Sequence, residues 1–272
     1  CSYCCNDSLR KLYHGQRYLR WRSTDHVINE LTAIKEKFNY INYVWLSDDA
    51  FFARNVNSIK EFCEEYKKRV NLPFHCLGSP LTVTEEKLEY LVDAGLNSIQ
   101  MGIETGSRHI QEVFNRKHMN NERVMQAIQA IMKYKDKIST IGYDFIMDVP
   151  YETDADRIET LRFISNIPKP YMLGIFSLVL YPGTSLYDRV KEDNPSLDEE
   201  KDIYRKMYGK VEENYTNLLL MLCKNGKLPH VLLKILISKY VVAVLDNPYL
   251  RPIYRLVFPL ARKAMHFIRG EK

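Results

Sequence analysis

Three of the chain's six cysteines lie within residues 1–5, which read CSYCC. Their C-x2-C spacing places two thiolates on one short loop, and both zinc and iron–sulfur clusters prefer such sulfur ligands. A structural zinc site normally needs a second pair of Cys or His residues further along the chain. The remaining cysteines, Cys63, Cys76 and Cys223, are isolated and have no His pair near them. The spacing therefore favours an iron–sulfur cluster over zinc.

Helical and strand patterns alternate along most of the chain, which is typical of a βα fold. The predicted strands are residues 43–46, 74–77, 98–103, 140–147 and 173–180. Helices are predicted between them, and their ends are marked by a cap at Ser23, a capping box Thr82-x-x-Glu85 and a stop at Gly95. A parallel βα fold of the barrel type places its chemistry at the carboxyl ends of the strands.

Polar residues follow the ends of two of these strands. Ser47, Asp48 and Asp49 follow the first strand, and Glu104 follows the third. Each of them alone is read more simply as a helix cap or a solvated carboxylate. Because they share one position relative to the strands, we interpret them together as candidate binding residues.

Composition suits a globular protein with one large domain, alone or with an appendage. The chain has 272 residues, of which 46% are hydrophobic, enough to build a core. Its 39 basic and 34 acidic residues give a net charge of +5, too mild to indicate nucleic-acid binding by itself. The unpaired cysteines indicate a reducing compartment, so we expect a cytoplasmic protein.

The order of these elements resembles that of the radical S-adenosylmethionine (SAM) enzymes. Their cysteine loop reads C-x3-C-x-(aromatic)-C, and Cys1, Tyr3 and Cys4 match its second cysteine, its aromatic residue and its third cysteine. The resemblance puts the first cysteine four residues before Cys1, and the first strand of the barrel upstream as well. It implies an α/β fold, a partial (β/α)6 TIM-like barrel, and a [4Fe-4S] cluster held by Cys1, Cys4 and the upstream cysteine. Cys5 has no role in the family pattern, and we interpret it as a small packing residue.

The resemblance also implies how SAM would be held. Residues 47–49 stand where many members have Gly-Gly-Glu, which binds the methionine amine, so Asp48 or Asp49 would accept hydrogen bonds from that ammonium. Glu104 matches the acid of a G-I-E-T-G-S turn that approaches SAM, with small residues that let the ligand come close. Arg116 matches a basic position that pairs with the methionine carboxylate.

Residues 144–153, DFIMDVPYET, resemble a D-x-I-x-G-x-P-G-E-T segment that lies near the SAM adenine, so Asp144 joins the candidate cofactor-binding residues. Asp148 and Tyr151 replace two glycines of that pattern. The Asp-Asp-x-Phe sequence and the turn at residues 181–184 look most like the branch of the family that carries a cobalamin-binding domain before the barrel. The resemblance therefore adds cobalamin, bound through an upstream domain, to the candidate cofactors.

The function implied by the resemblance is reductive cleavage of SAM to a 5′-deoxyadenosyl radical that attacks a substrate. In the cobalamin branch, methyl transfer to an unactivated carbon of a small molecule or lipid is the commonest expectation, and ring formation or rearrangement stays open. No catalytic residue is assigned beyond the cluster. The expected partners are that substrate and an electron donor such as flavodoxin or ferredoxin.

Two alternatives stay open. One is a catalytically inactive, metal-stabilised binding module, which the glycine replacements favour slightly. The other is a tRNA-modifying radical SAM enzyme. The candidate ligands retained at several strand ends favour an enzyme, and a nucleic-acid partner is disfavoured but stays open.

The strand pattern stops after the barrel segment, so we predict domains at 1–190 and 191–272. A charged linker, 191–201, precedes apolar helices at 211–224 and 230–245. The second of these helices is apolar around most of its circumference, which predicts burial on several sides, as in a helical cap packed on the barrel.

The end of the chain is basic and rich in proline. Pro248, Pro252 and Pro259 are expected to break it into short pieces. Its charged residues are Arg251, Arg255, Arg262, Lys263, Arg269 and Lys272, against the single acid Glu271. A basic amphipathic tail can bind an anionic membrane surface, which is the alternative to the cap.

Overall fold

The computed structural model describes residues 1–17, 20–49 and 51–269, with the backbone alone for 7, 248 and 262–269. The chain divides into two compact units. Unit one comprises Cys1–Gly15, Glu104–Asn121 and Asp144–Lys272. Unit two comprises Gln16–Ile103 and Glu122–Tyr143. The predicted boundary at residue 190 stays a prediction, and residues 144–272 belong to one compact unit.

Within the described residues, five strands form one sheet in chain order. They are β1 Val44–Leu46, β2 Phe74–Gly78, β3 Leu96–Glu104, β4 Thr140–Met147 and β5 Met172–Ser177. β1 and β2 pair in parallel, as do β2 and β3. Every second side chain of β4 is buried, beginning with Ile141, which is the period of two expected for a strand that packs one face on helices.

Helices connect the strands and continue after them. They are α1 Cys5–Leu12, α2 Thr24–Lys37, α3 Val56–Arg69, α4 Glu85–Asp93, α5 Arg108–Val113, α6 Asn121–Met132, α7 Asp154–Ile164, α8 Ser185–Asp193, α9 Tyr215–Cys223, α10 His230–Leu236, α11 Lys239–Leu245 and α12 Arg251–Arg269. Single turns of 3₁₀-helix lie at Phe51–Ala53 and Pro248–Leu250, and a turn of π-helix lies at Glu200–Tyr204.

Side chains at the helix starts accept the backbone N–H groups that an α-helix leaves without partners. The predicted cap at Ser23 is confirmed, because its hydroxyl accepts from His26 N at 3.3 Å. The capping box predicted at Thr82 is wrong. Thr84 is the cap of α4 and accepts from Lys87 N at 3.4 Å, because Thr82 lies in a turn and donates to Ser79 O.

Gly95 ends the α4 region as predicted. Its φ of +109° lies in the left-handed region, and a Cβ there would come within 3.2 Å of Leu72 O. Only glycine adopts this backbone conformation and this close approach without strain. The chain therefore turns sharply into β3 at Gly95.

The C-terminal helices differ in burial. Every residue of α9 is buried except Leu222, and this helix packs against α7, β5 and α12. The expectation of burial on several sides is wrong for residues 230–245, which form two helices with a single fully buried side chain, Leu233, within them. Many of their apolar side chains face solvent, including Val231 at 73% and Val244 at 66% exposed.

The expectation that the prolines break the tail is also wrong in part. Pro259 lies inside α12, whose backbone is helical from Arg251 to Arg269. Pro252 lies in its first turn, where the missing N–H of proline costs no helical hydrogen bond. None of the helices in the described part of the chain is both long and apolar enough to cross a membrane.

Candidate active site

The cysteine loop is anchored by hydrogen bonds to two helices of unit one. Ser2 N donates to Phe114 O at 2.9 Å, and Ser2 Oγ donates to Val113 O at 2.7 Å, at the end of α5. Leu186 N, in the first turn of α8, donates to Ser2 O at 2.8 Å. Because Ser2 lies between the two candidate thiols, these bonds fix where Cys1 and Cys4 present their sulfurs.

The two thiols lie on a tight turn in which Cys4 N donates to Cys1 O at 3.3 Å. Cys1 is exposed and Cys4 is half-buried. Arg116 Nη1 lies 3.3 Å from Cys1 Sγ and donates to it. In the described part of the chain, no group of three or more His, Cys, Asp or Glu side chains is arranged to hold a metal. The third ligand, placed by the resemblance before Cys1, therefore stays a prediction.

Glu104, Arg116 and Tyr3 meet beside the cysteine loop. Arg116 Nη1 lies 3.5 Å from Glu104 Oε1, and the two side chains are only 7% and 12% exposed. The Tyr3 hydroxyl interacts with the Glu104 carboxylate and acts to lower its pKa, while the Tyr3 ring packs edge-on against Phe114 with centroids 4.6 Å apart. Because Arg116 is buried, it is not a surface cation.

The electrostatics of this cluster are dominated by burial. Burial raises the pKa of Glu104, and although Arg116 and the Tyr3 hydroxyl oppose this, the nearby Asp144 carboxylate adds to it. Burial likewise raises the pKa of Tyr3. An ammonium bound near Glu104 would lower the pKa of this carboxylate, as Arg116 already does.

Two backbone positions make room for this arrangement. Glu104 has φ of +73°, a left-handed conformation that costs roughly 1 kcal/mol or more for a residue with a Cβ. Gly174 in β5 faces Asp144, whose Oδ1 would lie 2.1 Å from any Cβ built there. A side chain at residue 174 would therefore displace the Asp144 carboxylate.

The turn after Glu104 is held by α7. Thr105 Oγ1 lies 3.1 Å from Thr160 Oγ1, and Gly106 N donates to the same Thr160 hydroxyl at 3.1 Å. A Cβ at Gly106 would lie 2.6 Å from Phe163 Cβ. Gly106 therefore allows the close approach of α7, and the predicted role of the small residues of this turn toward a ligand stays a prediction.

Asp156 was not predicted from the sequence. It joins the start of α7 to the turn that follows Glu104. Its Oδ1 accepts from Ser107 Oγ at 2.5 Å, and its Oδ2 accepts from Thr153 Oγ1 at 2.6 Å, Thr153 N at 2.8 Å and His109 Nδ1 at 3.1 Å. Burial alone would raise its pKa, but the hydrogen bonds from Ser107 and Thr153 outweigh burial and lower the pKa of Asp156 to about 2. The available signal was Thr153-x-x-Asp156, a capping box.

The two glycine replacements contact the C-terminal helices. Asp148 keeps a glycine-like φ of +58°, and its carboxylate accepts from Glu212 N at 3.0 Å and from the buried Asn217 Nδ2 at 2.9 Å. Tyr151 donates to Asp193 Oδ2 at 2.5 Å, and Arg189 lies over its ring. These side chains therefore serve as attachment points for the following helices.

The remaining candidates, Ser47, Asp48 and Asp49, lie after β1 in unit two. Asp48 forms an ion pair with Arg54 at 3.6 Å, and the Arg54 guanidinium stacks on Trp21 at 4.6 Å. Ser47 and Asp49 are exposed. The structure thus brings together the candidates of unit one, and the role of residues 47–49 toward the same ligand stays a prediction.

Comparison with known proteins identifies the family to which this arrangement belongs. The sequence profile of the Radical SAM superfamily matches residues 1–164, well over half of the chain and all of the candidate site. The chain belongs to the radical SAM superfamily. Proteins of this superfamily use a [4Fe-4S] cluster and SAM, so the resemblance seen in the cysteine loop is confirmed.

Relatives within the radical SAM superfamily differ in reaction. An oxygen-independent coproporphyrinogen III oxidase from Helicobacter pylori is 24% identical over 58% of this chain and 34% of its own. A bacteriochlorophyllide d C-8(2)-methyltransferase from Chlorobaculum tepidum is 26% identical over 51% of this chain and 29% of its own. The chain spans about a third of the length of these curated relatives.

Solved structures confirm the fold class. The radical SAM methyltransferase TsrM from Kitasatospora setae, solved with cobalamin and a [4Fe-4S] cluster, superposes with a TM-score of 0.52 at 15% identity, over 63% of this chain and 34% of that one. At this identity the likeness concerns the fold alone, an α/β, TIM-like partial barrel.

The residues of unit one fit the superfamily's cofactors. Cys1 and Cys4 offer two thiols on one anchored turn, and Arg116 supplies a hydrogen bond of the kind that tunes cluster sulfurs. Glu104 and Arg116 present opposite charges side by side, which complements the ammonium and carboxylate of an amino acid such as the methionine part of SAM.

Proposed function

We propose that this protein is a radical SAM enzyme that cleaves SAM reductively to act on a small-molecule or lipid substrate. The observation that carries the proposal is the convergence of Cys1, Tyr3, Glu104 and Arg116 within hydrogen-bonding reach in a protein of this superfamily. An inactive binding module would not need an ion-paired Glu104 and Arg116 buried beside the cysteine loop.

The chemistry supplied by a bound [4Fe-4S] cluster is transfer of one electron to SAM, which releases methionine and a 5′-deoxyadenosyl radical. The chain's own residues bind and orient. Cys1 and Cys4 would hold the cluster, Glu104 would accept hydrogen bonds from the methionine ammonium, and Arg116 would donate to the methionine carboxylate. The Tyr3 hydroxyl interacts with Glu104, and the Tyr3 ring packs on Phe114. Tyr3 would therefore hold the Glu104 carboxylate in position.

The finer proposal is cobalamin-dependent methyl transfer. It is supported by the Asp-Asp-x-Phe sequence after β1 and by the methyltransferase among the relatives. The cobalamin would be bound by a domain preceding the barrel. We further propose a cytoplasmic location, because the free cysteines need a reducing environment, and a flavodoxin- or ferredoxin-type electron donor.

The first experiment tests the cluster. A chain that includes the residues preceding Cys1 is reconstituted without oxygen, and its iron and sulfide are measured. Cys4→Ala should remove the cluster, whereas the matched control Cys5→Ala, on the neighbouring residue, should retain it. One zinc per chain without sulfide would contradict the proposal.

The second experiment tests the SAM site. Glu104→Gln and Asp49→Ala should each weaken SAM binding about tenfold to a hundredfold, because each loses a charge-assisted hydrogen bond of roughly 1.5–3 kcal/mol. Glu112→Gln, an exposed carboxylate on α5, is the control and should bind normally. Formation of 5′-deoxyadenosine by the reduced enzyme is the second readout. SAM binding without any cleavage would favour the inactive binding module.

A further inference from the structure

A cavity of about 370 Å³ lies in unit one at the carboxyl end of β5. This volume is within the usual range for sites that bind small molecules. Asp148, which follows β4, and Ser177, the last residue of β5, form one side of its lining. The loop that precedes α9, residues 205–214, and the first turns of α12 supply the rest.

The cavity is separate from the candidate SAM site. Gly174 of β5 faces Asp144, and Ser177 lies three residues further along the same strand. Because side chains alternate between the two faces of a strand, Ser177 faces away from Asp144. Among the described residues, those that line the cavity include neither Glu104 nor Arg116.

Four cationic side chains line this cavity. Lys206 and Lys210 come from the 205–214 loop, and Arg251 and Arg255 come from α12. The two arginines are four residues apart and therefore share one side of the helix, which is also the side of the buried Tyr254. Within the described residues, no carboxylate lies within ion-pair distance of any of these four cations. Their hydrogen-bond donors are therefore available to a ligand.

Three carboxylates share the lining, those of Asp148, Glu212 and Glu213. The carboxylate of Asp148 already accepts hydrogen bonds from Glu212 N at 3.0 Å and from Asn217 Nδ2 at 2.9 Å. With four cations against three carboxylates, the lining keeps an excess of positive charge. That excess favours an anion as the ligand.

Ser177 provides a second sign of a ligand. This residue is 2% exposed, and its hydroxyl is buried without a hydrogen-bond partner in the part of the chain that the structure describes. Its backbone N donates to Tyr208 O at 2.7 Å, which holds the 205–214 loop against the end of β5. A buried hydroxyl without a partner costs stability, and an oxygen of a bound ligand would supply the missing acceptor.

We propose that this cavity binds the phosphate group of a small-molecule ligand other than SAM, which contains no phosphate. A phosphate monoester carries a charge of about −1.5 to −2 near neutral pH, which suits a lining with several free cations. The fork of an arginine binds two phosphate oxygens at once, and a lysine binds phosphate as a point charge. A carboxylate has one negative charge and two oxygens, so it would use fewer of these donors. The site therefore adds a phosphorylated ligand to the cluster and SAM.

Isothermal titration calorimetry of the full chain with inorganic phosphate at low ionic strength tests the proposal. We expect saturable binding to one site, with the same affinity when SAM is present. Arg251→Gln with Arg255→Gln should weaken phosphate binding by at least about tenfold, because charge-assisted hydrogen bonds are lost. Ser177→Ala should weaken it by roughly threefold to tenfold, because one hydrogen bond is lost.

The control is Lys135→Gln with Lys137→Gln, which removes the same charge from exposed residues of unit two and should bind phosphate as the wild type does. Circular dichroism confirms that each variant is folded. Absence of saturable phosphate binding by the wild-type chain would overturn the proposal, as would binding of succinate as tight as that of phosphate. Wild-type affinity in the arginine pair or in Ser177→Ala would overturn it too, and so would an equal loss in the control pair. Loss of phosphate binding when SAM is added would place the phosphate in the SAM site and overturn the separate site.

Discussion

Replacing Asp156 by asparagine should destabilise the protein and loosen the turn that carries Glu104. The Asp156 carboxylate accepts from Ser107, Thr153 and His109. An asparagine presents one oxygen and one N–H₂ group, so at least one donor loses its acceptor. A hydrogen bond to a charged group contributes roughly 1.5–3 kcal/mol. The pKa of Asp156, lowered from 3.8 to about 2, corresponds to a similar contribution to the free energy of unfolding, about 2 kcal/mol.

Urea unfolding followed by circular dichroism measures this loss. Because the folded-state pKa of Asp156 is lowered, its contribution is complete above pH 3.8 and disappears as the pH falls toward 2. The free energy of unfolding of the wild type should therefore exceed that of the variant by about 2 kcal/mol near neutral pH, or roughly 4–8 °C in melting temperature. This difference should become smaller in acid.

The matched control is Asp154→Asn, an exposed carboxylate in the first turn of the same helix, which should change stability by less than about 1 kcal/mol. A variant of Asp156 as stable as this control would refute the reasoning. So would a stability gap that stays constant as the pH falls below 3.8.

Three further predictions follow from unit one. Burial raises the pKa of Glu152 from 4.5 to about 8 against the opposing charge of Arg157. Wild-type stability should therefore fall as the pH rises through that window, and Glu152→Gln should remove the slope in urea titrations. Asp148→Gly relieves its positive φ but loses two hydrogen bonds, so the free energy of unfolding from urea titrations should drop by roughly 2 kcal/mol. Asp148→Asn should lose less, and an equal loss would contradict this account. Deleting residues 211–272 removes the buried α9 and should give aggregates on gel filtration, whereas a monomeric, folded product would contradict it.

Local patterns predicted much of the fold. The strand at 140–147 has the bounds predicted for it, because alternation of buried side chains is written in consecutive residues. Glu104 and Arg116 were both predicted as site residues, and they lie together. The error at Thr82 is of another kind: two threonines two residues apart fit a cap equally well, and the turn at Ser79 decides between them.

Contacts between distant residues account for what the sequence did not predict. Asp156 meets Ser107 across 49 residues, and no local pattern reports such a pair. From the sequence alone, Asp148 is a departure from a glycine pattern. Its hydrogen-bond partner is Asn217, 69 residues later in the chain. The exposure of residues 230–245 was mispredicted because apolar composition gives the tendency of a helix to be buried, not the surface available to bury it.

The cysteine loop is synthesised well before the residues that anchor it. Ser2 donates a hydrogen bond to Val113, which is 111 residues later in the chain, and Ser8 donates one to Gly183, which is 175 residues later. At typical translation speeds the loop is therefore synthesised roughly six to thirty-five seconds before its anchors. During that interval its thiols can bind zinc as well as iron, because both metals take thiolate ligands. Cluster delivery after translation, and a growth medium rich in iron and poor in zinc, should therefore decide how much of the protein is correctly metallated.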